Sequence, residues 1–315
     1  MRKQLPALAF SIALTACGGG GSGSDSGLSS DVAQGYAADA ATMPVQAASS
    51  LDGATSVLEA AVLASASIVP TAGPTAADVT VNCAAGGSVT YTLSGGTAAQ
   101  QRNGKFDAGE TYGASFKSCA AVAGGAMLNG NITLVVTAFS DTAADFTLTV
   151  SALVLSSPQG VYTVDGGARS QRSSIALGGG GSVVSSQFTS SGLALASNVN
   201  GRQASYNLKS LSWTTNRTQD AGGKLSASTQ QGSLDLVSSN PRRPTSTLQI
   251  STQGALTLGS DGLAASGAFS VVTGGDKLAV VYGPSSVLVT LDVGNNGSIE
   301  FTWTLGRIVF FGIAG

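Results

Sequence analysis

The 315-residue chain contains no histidine, and only 10% of its residues are charged. Without imidazole, a Ser-His-Asp triad, a Cys-His pair, a His-ligated zinc site and an imidazole proton shuttle are all excluded. Charge far below the usual quarter leaves Ser, Thr, Gly and Ala to carry the polar surface, a habit of β-rich exported proteins. Aromatic residues are sparse as well, at 6%. A formal charge of −2 offers a nucleic acid little long-range attraction, so no nucleic-acid partner is expected. What the chain does have is 43% apolar residues, 43 glycines and a positive mean hydropathy. A wholly disordered chain would show the opposite balance.

Several catalytic signatures are missing too. No Ser has Gly at both −2 and +2, so the nucleophile elbow of hydrolases is absent, and no Ser-x-x-Lys occurs. The Gly runs at 18–21 and 178–181 lack the Lys and strand-loop-helix setting of a phosphate-binding loop. Paired carboxylates can hydrolyse glycosides, but the acids here sit singly at turns and no spacing selects a pair. No catalytic residue is expected, and an enzyme ranks behind non-catalytic readings.

Arg2 and Lys3 precede an apolar run from Leu5 to Ala16. Twelve residues are too few for a bilayer-spanning helix, which needs about 20, but suit a signal-peptide core. The run ends Leu14-Thr15-Ala16-Cys17-Gly18. That motif resembles the lipobox of bacterial lipoprotein precursors. The resemblance implies cleavage after Ala16, lipidation of Cys17 with palmitate-type chains, and an anchor in the bacterial outer membrane, since Gly rather than Asp follows the Cys. Loss of residues 1–16 leaves 13 of the 15 basic side chains against 17 acidic ones, a net of −4.

Four regions are expected: a signal peptide at 1–16, a lipidated flexible linker at 17–50, a helix and connector at 51–77, and a β domain at 78–315. The Gly/Ser-rich stretch after Cys17 spans roughly 20 Å as a coil, and the Ala-rich, weakly patterned residues 31–50 read as linker with transient helix as the alternative. A helix over 51–69 is predicted from the capping box Ser56–Glu59, with Pro70 and Pro74 as its stop. Packing on a sheet, even filling its concave face, fits this segment better than lying on lipid, because it has no basic side.

From Asp78 onward the apolar period is two. Phe146, Leu148, Val150, Ala152 and Val154 alternate with polar residues, as do Ile132, Leu134 and Val136. Turn dipeptides occur at Asn103-Gly104, Asn129-Gly130, Asp165-Gly166, Asn200-Gly201, Asp261-Gly262 and Asn296-Gly297. Roughly fourteen strands with short links define an all-β fold. It is a large antiparallel, strongly curved sheet or barrel-like meander with one short helix packed on it, in one piece or as two similar halves. Gly178–Gly181 is the candidate seam. An echo between Leu128–Val136 and Ala265–Val272 favours halves, and chance similarity between β arms explains it equally well. The apolar end, Ile308 to Gly315, reads as a buried final strand. Pro241-Arg242-Arg243-Pro244 reads as an exposed loop. A transmembrane barrel is disfavoured by the few aromatics.

Once Cys17 is lipidated, Cys83 and Cys119 remain, and an oxidising compartment pairs them by default. Between them, Asn103, Lys105 (through its carbonyl), Asp107 and Glu110 match the second half of a calcium loop of the EF-hand type. Its first and third positions hold Ala99 and Gln101 instead of acids, so a polar turn is the stronger reading. No cofactor is expected, with Ca²⁺ as the alternative. The segments Cys83–Thr90, Asn103–Glu110, Cys119 and Leu128-Asn129-Gly130 together resemble proteobacterial outer-membrane lipoproteins, a likeness that implies compartment and fold but no activity.

The functional expectation is a non-catalytic, lipid-anchored envelope protein that meets the membrane through its anchor and serves as a structural or interaction module for an envelope partner. Its rivals are a carrier holding an acyl chain or other apolar ligand in the curved sheet, and a hydrolase without a recognisable motif.

Overall fold

The computed structural model describes residues 28–65, 78–97, 99–103, 105–120, 127–157, 160–177, 179–199, 202–222, 225–259 and 263–313. Cys17, Pro70, Pro74, Gly104, Gly178, Asn200-Gly201 and Asp261-Gly262 lie outside them. Strands follow in chain order as Val79–Asn82 (β1), Ser88–Gly95 (β2), Glu110–Ala120 (β3), Met127–Phe139 (β4) and Ala143–Ser157 (β5). Next come Gly160–Ala176 (β6), Ser182–Val199 (β7), Arg202–Gln219 (β8), Leu225–Ser239 (β9) and Ser246–Thr252 (β10). Leu256–Leu258 (β11), Ala264–Thr273 (β12), Asp276–Tyr282 (β13), Ser286–Asp292 (β14) and Phe301–Gly306 (β15) complete them. All join one 15-stranded sheet in which consecutive strands are neighbours, except that β10 pairs with β12 while short β11 bridges β9 and β12. Pairing is antiparallel throughout the described strands, as short links require.

The sheet has no seam. On either side of the candidate seam β6 and β7 pair directly: Leu177 N–H donates to the Gly181 carbonyl at 2.7 Å and Ala176 pairs with Ser182. Val199 pairs with Arg202, so β7 and β8 are adjacent across a two-residue connection. Two other turn dipeptides are corrected. Asn129-Gly130 and Asp165-Gly166 lie inside β4 and β6, at places where the strand register shifts or a glycine takes positive φ.

Those places form a line. Register breaks fall at Phe116/Cys119 in β3, Asn129/Asn131 in β4, Val150/Leu153 in β5, Gly167/Arg169 in β6 and Lys209/Ser212 in β8. Ser118, Ala152 and Ser210 take positive φ there, at 48°, 47° and 52°. Each extra residue bends its strand and increases local twist, so bulges in neighbouring strands crease the whole sheet. Gly130 shows why the crease needs glycine. Its φ is 107°, and a Cβ on it would strike the Ala152 carbonyl of the adjacent bulge. Gly267 repeats this in β12, with φ 108° against the Ala255 carbonyl. The echoed arms therefore share a conformation: Ile132, Leu134 and Val136 follow the first glycine into the core, and Phe269, Val271 and Thr273 follow the second.

The helix differs most from expectation. Residues 30–50, read from sequence as linker, are helical. α1 runs from Ser30 to Ser65, so Ser56 and Glu59 lie inside it and do not cap its start. From Gly35 to Val45 every residue is buried. α1 touches β3 and β4 near one edge of the sheet, β7 to β10 in the middle, and β12 to β14 toward the other edge. The sheet thus curls around it. A helical stretch buried on all sides, as 35–45 is, has no polar stripe to alternate with an apolar one, and its alanines let the strands approach closely. Pro44 sits within α1 and leaves one backbone carbonyl without its usual helical donor.

The chain end is also helical. Arg307–Ile313 forms α2, not a strand. Phe310 and Phe311 are buried against Tyr282, Phe311 stacking on its ring at 6.0 Å, whereas Ile308 and Val309 are exposed. The Arg307 guanidinium holds α2 in place by donating to the carbonyls of Ala264 and Leu263.

Candidate functional site

Antiparallel order puts alternate connections at opposite ends of the molecule. One end carries the start of α1, the β9–β10 and β12–β13 links, the long β14–β15 link and the region around Cys83 and Cys119. The far end carries the β2–β3 loop and α2.

At the first end Cys83 and Cys119 form a disulfide with Cα atoms 5.4 Å apart, as expected. Cys83 follows β1 and Cys119 lies past the break in β3, so the bond ties down the otherwise short edge of the sheet. At the same end of the sheet, the β9–β10 link corrects the reading of Pro241–Pro244 as a wholly exposed loop. Arg243 turns inward. Its Nη2 donates to both carboxylate oxygens of Asp39 at 2.8 Å, and the two side chains are 6% and 0% exposed. Ser238 from β9 donates to Asp39 Oδ2 at 2.8 Å, and Tyr206 from β8 donates to Oδ1 at 3.3 Å. One turn earlier on α1, Gly35 leaves the space the guanidinium occupies, because a Cβ there would lie 2.5 Å from Arg243 Cδ. Tyr36 donates to the Pro244 carbonyl at 2.6 Å. Sequence reasoning missed this cluster. Gly35-x-x-x-Asp39 was the available signal, hidden in a segment read as linker.

The far-end loop brings the suggested calcium ligands together, but as partners of protein donors. Asn103 Oδ1 accepts from Lys105 N–H at 2.7 Å, and Asn103 Nδ2 donates to Asp107 Oδ2. Glu110 Oε2 accepts from Asp107 N–H at 2.8 Å and from the Tyr112 hydroxyl at 2.6 Å. The Lys105 carbonyl lies 3.2 Å from that same hydroxyl. Burial, then the hydrogen bond and charge of Glu110, push the Tyr112 phenol well above its ordinary pKa. Phe106 seals the loop against Tyr112, Phe139 and Phe146. Glu110 is fully buried, and its Oε1 has no hydrogen-bond partner. Among the described residues, no three His, Cys, Asp or Glu side chains converge as a metal site would require.

A third feature is the place where the chain enters the body. Asp276, at the start of β13, accepts from Leu28 N–H at 3.1 Å through Oδ2 and from Gly294 N–H at 2.9 Å through Oδ1. One carboxylate therefore clamps the first described residues to the β14–β15 link. A shallow hollow lies elsewhere, over the crease, lined by Thr189, Ser190, Ser191, Ser210 and Leu211. The concave side of the sheet is occupied by α1.

Together these features define a class by architecture alone: a creased antiparallel meander wrapped on a central helix. No protein-family model matches the chain, and no curated protein matches it.

Proposed function

We propose that the chain is a non-catalytic, lipid-anchored protein of the bacterial outer membrane, acylated at Cys17, whose sheet-and-helix body serves as a structural or interaction module. The observation that carries this reading is the course of α1. The segment that follows the anchor motif passes Asp276 and enters the body as its core, so a pull on the anchor is borne by the most enclosed element of the fold.

The carboxylates support a non-catalytic role. Asp39 is engaged by Arg243, Asp145 by Arg169, and Asp276, Asp292 and Glu300 by backbone amides. Acids used in this way hold structure. The loop at 99–110 is read as a hydrogen-bonded turn closed by Glu110. α1 takes the space that a carrier of acyl chains would need for its cargo.

Labelling of producing cells with an alkyne analogue of palmitate tests the anchor. Wild-type protein should incorporate the label and the Cys17→Ala variant should not; equal labelling of both overturns the reading.

A further inference from the structure

Exposed apolar side chains gather beside the point where the chain enters the body. Ile299 in the β14–β15 link is 62% exposed, and Phe301, the first residue of β15, is 51% exposed. Phe301 stacks on half-buried Trp303 with ring centres 5.9 Å apart and planes within 8°. β15 is the last strand of the sheet, so no further strand covers this side. The neighbouring acids are folded back. Glu300 accepts from Val293 N–H, and Asp292 accepts from Asn296 and Gly297 N–H.

We propose that this surface, centred on Ile299 and Phe301 with Trp303 behind them, lies in the interfacial layer of the lipid bilayer that carries the Cys17 anchor. Chain length argues for lipid over any other occupant. Ten residues lie between Cys17 and Leu28, and the eleven Cα-to-Cα steps reach at most about 40 Å fully extended and about 18 Å as a coil. The 18-residue strands β7 and β8 are roughly 60 Å long. The tether is therefore too short to let the body turn its far end to the membrane, and the end bearing Asp276 stays nearest to it. Leu28 and Phe301 are two strands apart, about 10 Å. An aromatic pair with an aliphatic neighbour, beside carboxylates turned back onto backbone amides, is suited to the boundary between headgroups and acyl chains.

This inference rests on the anchored reading, and its test replaces the biological anchor with a chemical one so that the two can fail separately. The mature chain beginning at Cys17 has one free thiol, because Cys83 and Cys119 are bonded. It can be coupled to maleimide-headgroup lipid in phosphatidylcholine vesicles, with or without brominated acyl chains. Of the two tryptophans, Trp213 is 1% exposed and bonded to Gln230, so quenching by bromine reports Trp303. Coupled wild-type protein should be quenched by brominated vesicles. Ile299→Ser with Phe301→Ser should cut that quenching several-fold at equal coupling and unchanged circular dichroism, while Ile308→Ser on α2, at the far end, should leave it intact. Equal emission on brominated and plain vesicles overturns the proposal. So does concentration-dependent pairing of β15 between two copies, seen by light scattering without quenching. A missing acyl group in cells would appear in the palmitate labelling alone.

Discussion

A single missing methyl group decides how α1 meets the sheet. Alanine at an exposed glycine in a helix interior ordinarily stabilises by about 1 kcal/mol. At Gly35 the sign should reverse, because the added Cβ meets the Arg243 side chain and forces the guanidinium away from Asp39. Gly35→Ala should lose about 2–3 kcal/mol in urea unfolding, on the scale of a disturbed buried ionic hydrogen bond. Asp39→Asn should lose about 3–5 kcal/mol, since it leaves a buried cation without its counter-charge. Asp39→Leu combined with Arg243→Met should recover much of that loss, which separates the cost of an orphaned charge from the net worth of the pair. A gain in stability from Gly35→Ala would show that the guanidinium finds another seat.

At the scale of elements, the crease and the disulfide complement one another. Strands of up to 18 residues cannot stay flat around a helix, and each bulge switches which residues face inward. In β8 the inward set is Ala204, Tyr206 and Leu208 before Ser210, then Leu211, Trp213 and Thr215 after it. Bulges thereby preserve an inward apolar face on both sides of the bend. The early edge has no such length, since β1 has only four residues, and the 36-residue separation of Cys83 and Cys119 holds it covalently. Cys83→Ser with Cys119→Ser should lower the unfolding free energy by up to about 4 kcal/mol in the chain-entropy picture. Hydrogen exchange should show the loss first in β1 and β2; uniform loss across the sheet would contradict an edge-specific role.

Much of the strand pattern was legible because half-buried antiparallel strands alternate, and the two-residue connection between β7 and β8 was legible because Asn-Gly favours hairpins. Asn129-Gly130 and Asp165-Gly166 carry the same composition inside strands, where positive φ serves a bulge. Local chemistry cannot tell a turn from a bulge. α1 was illegible for another reason. Amphipathic periodicity reports a helix with one wet side, and residues 35–45 have none. Ile308–Ile313 was ambiguous in the way short apolar runs are, since neither length nor period separates a buried helix from a strand.

For the molecule as a whole, the absence of histidine becomes a pH profile. No side chain has an ordinary pKa between about 5 and 8, so stability should be flat from about pH 6 to 9. The six tyrosines are all pushed above their usual value, with burial the largest cause at every site. A phenol raised in the folded state contributes stability that is complete below about pH 10 and is lost as pH rises through its folded value. The Asp145 carboxyl is held down by its hydrogen bonds to Arg169, so its contribution is present above about pH 4 and disappears as pH falls. That pair is exposed enough to make the acid limb shallow. Absorbance at 295 nm should therefore show little tyrosinate at pH 10, then a steep rise that coincides with unfolding by circular dichroism. Gradual ionisation near pH 10 in a folded chain would contradict the burial of these rings.

Composition and period were enough, without coordinates, to determine a low-charge, all-β body with a Cys83–Cys119 bond and consecutive antiparallel strands, because these follow from local torsions and the redox logic of paired thiols. Only the tertiary structure decided that residues 30–50 form the core helix, that Arg243 points inward to Asp39, and that an apolar surface sits where the chain enters. Each depends on which distant segments come together, and enclosure by the sheet removes the one-sided pattern through which a sequence announces a helix.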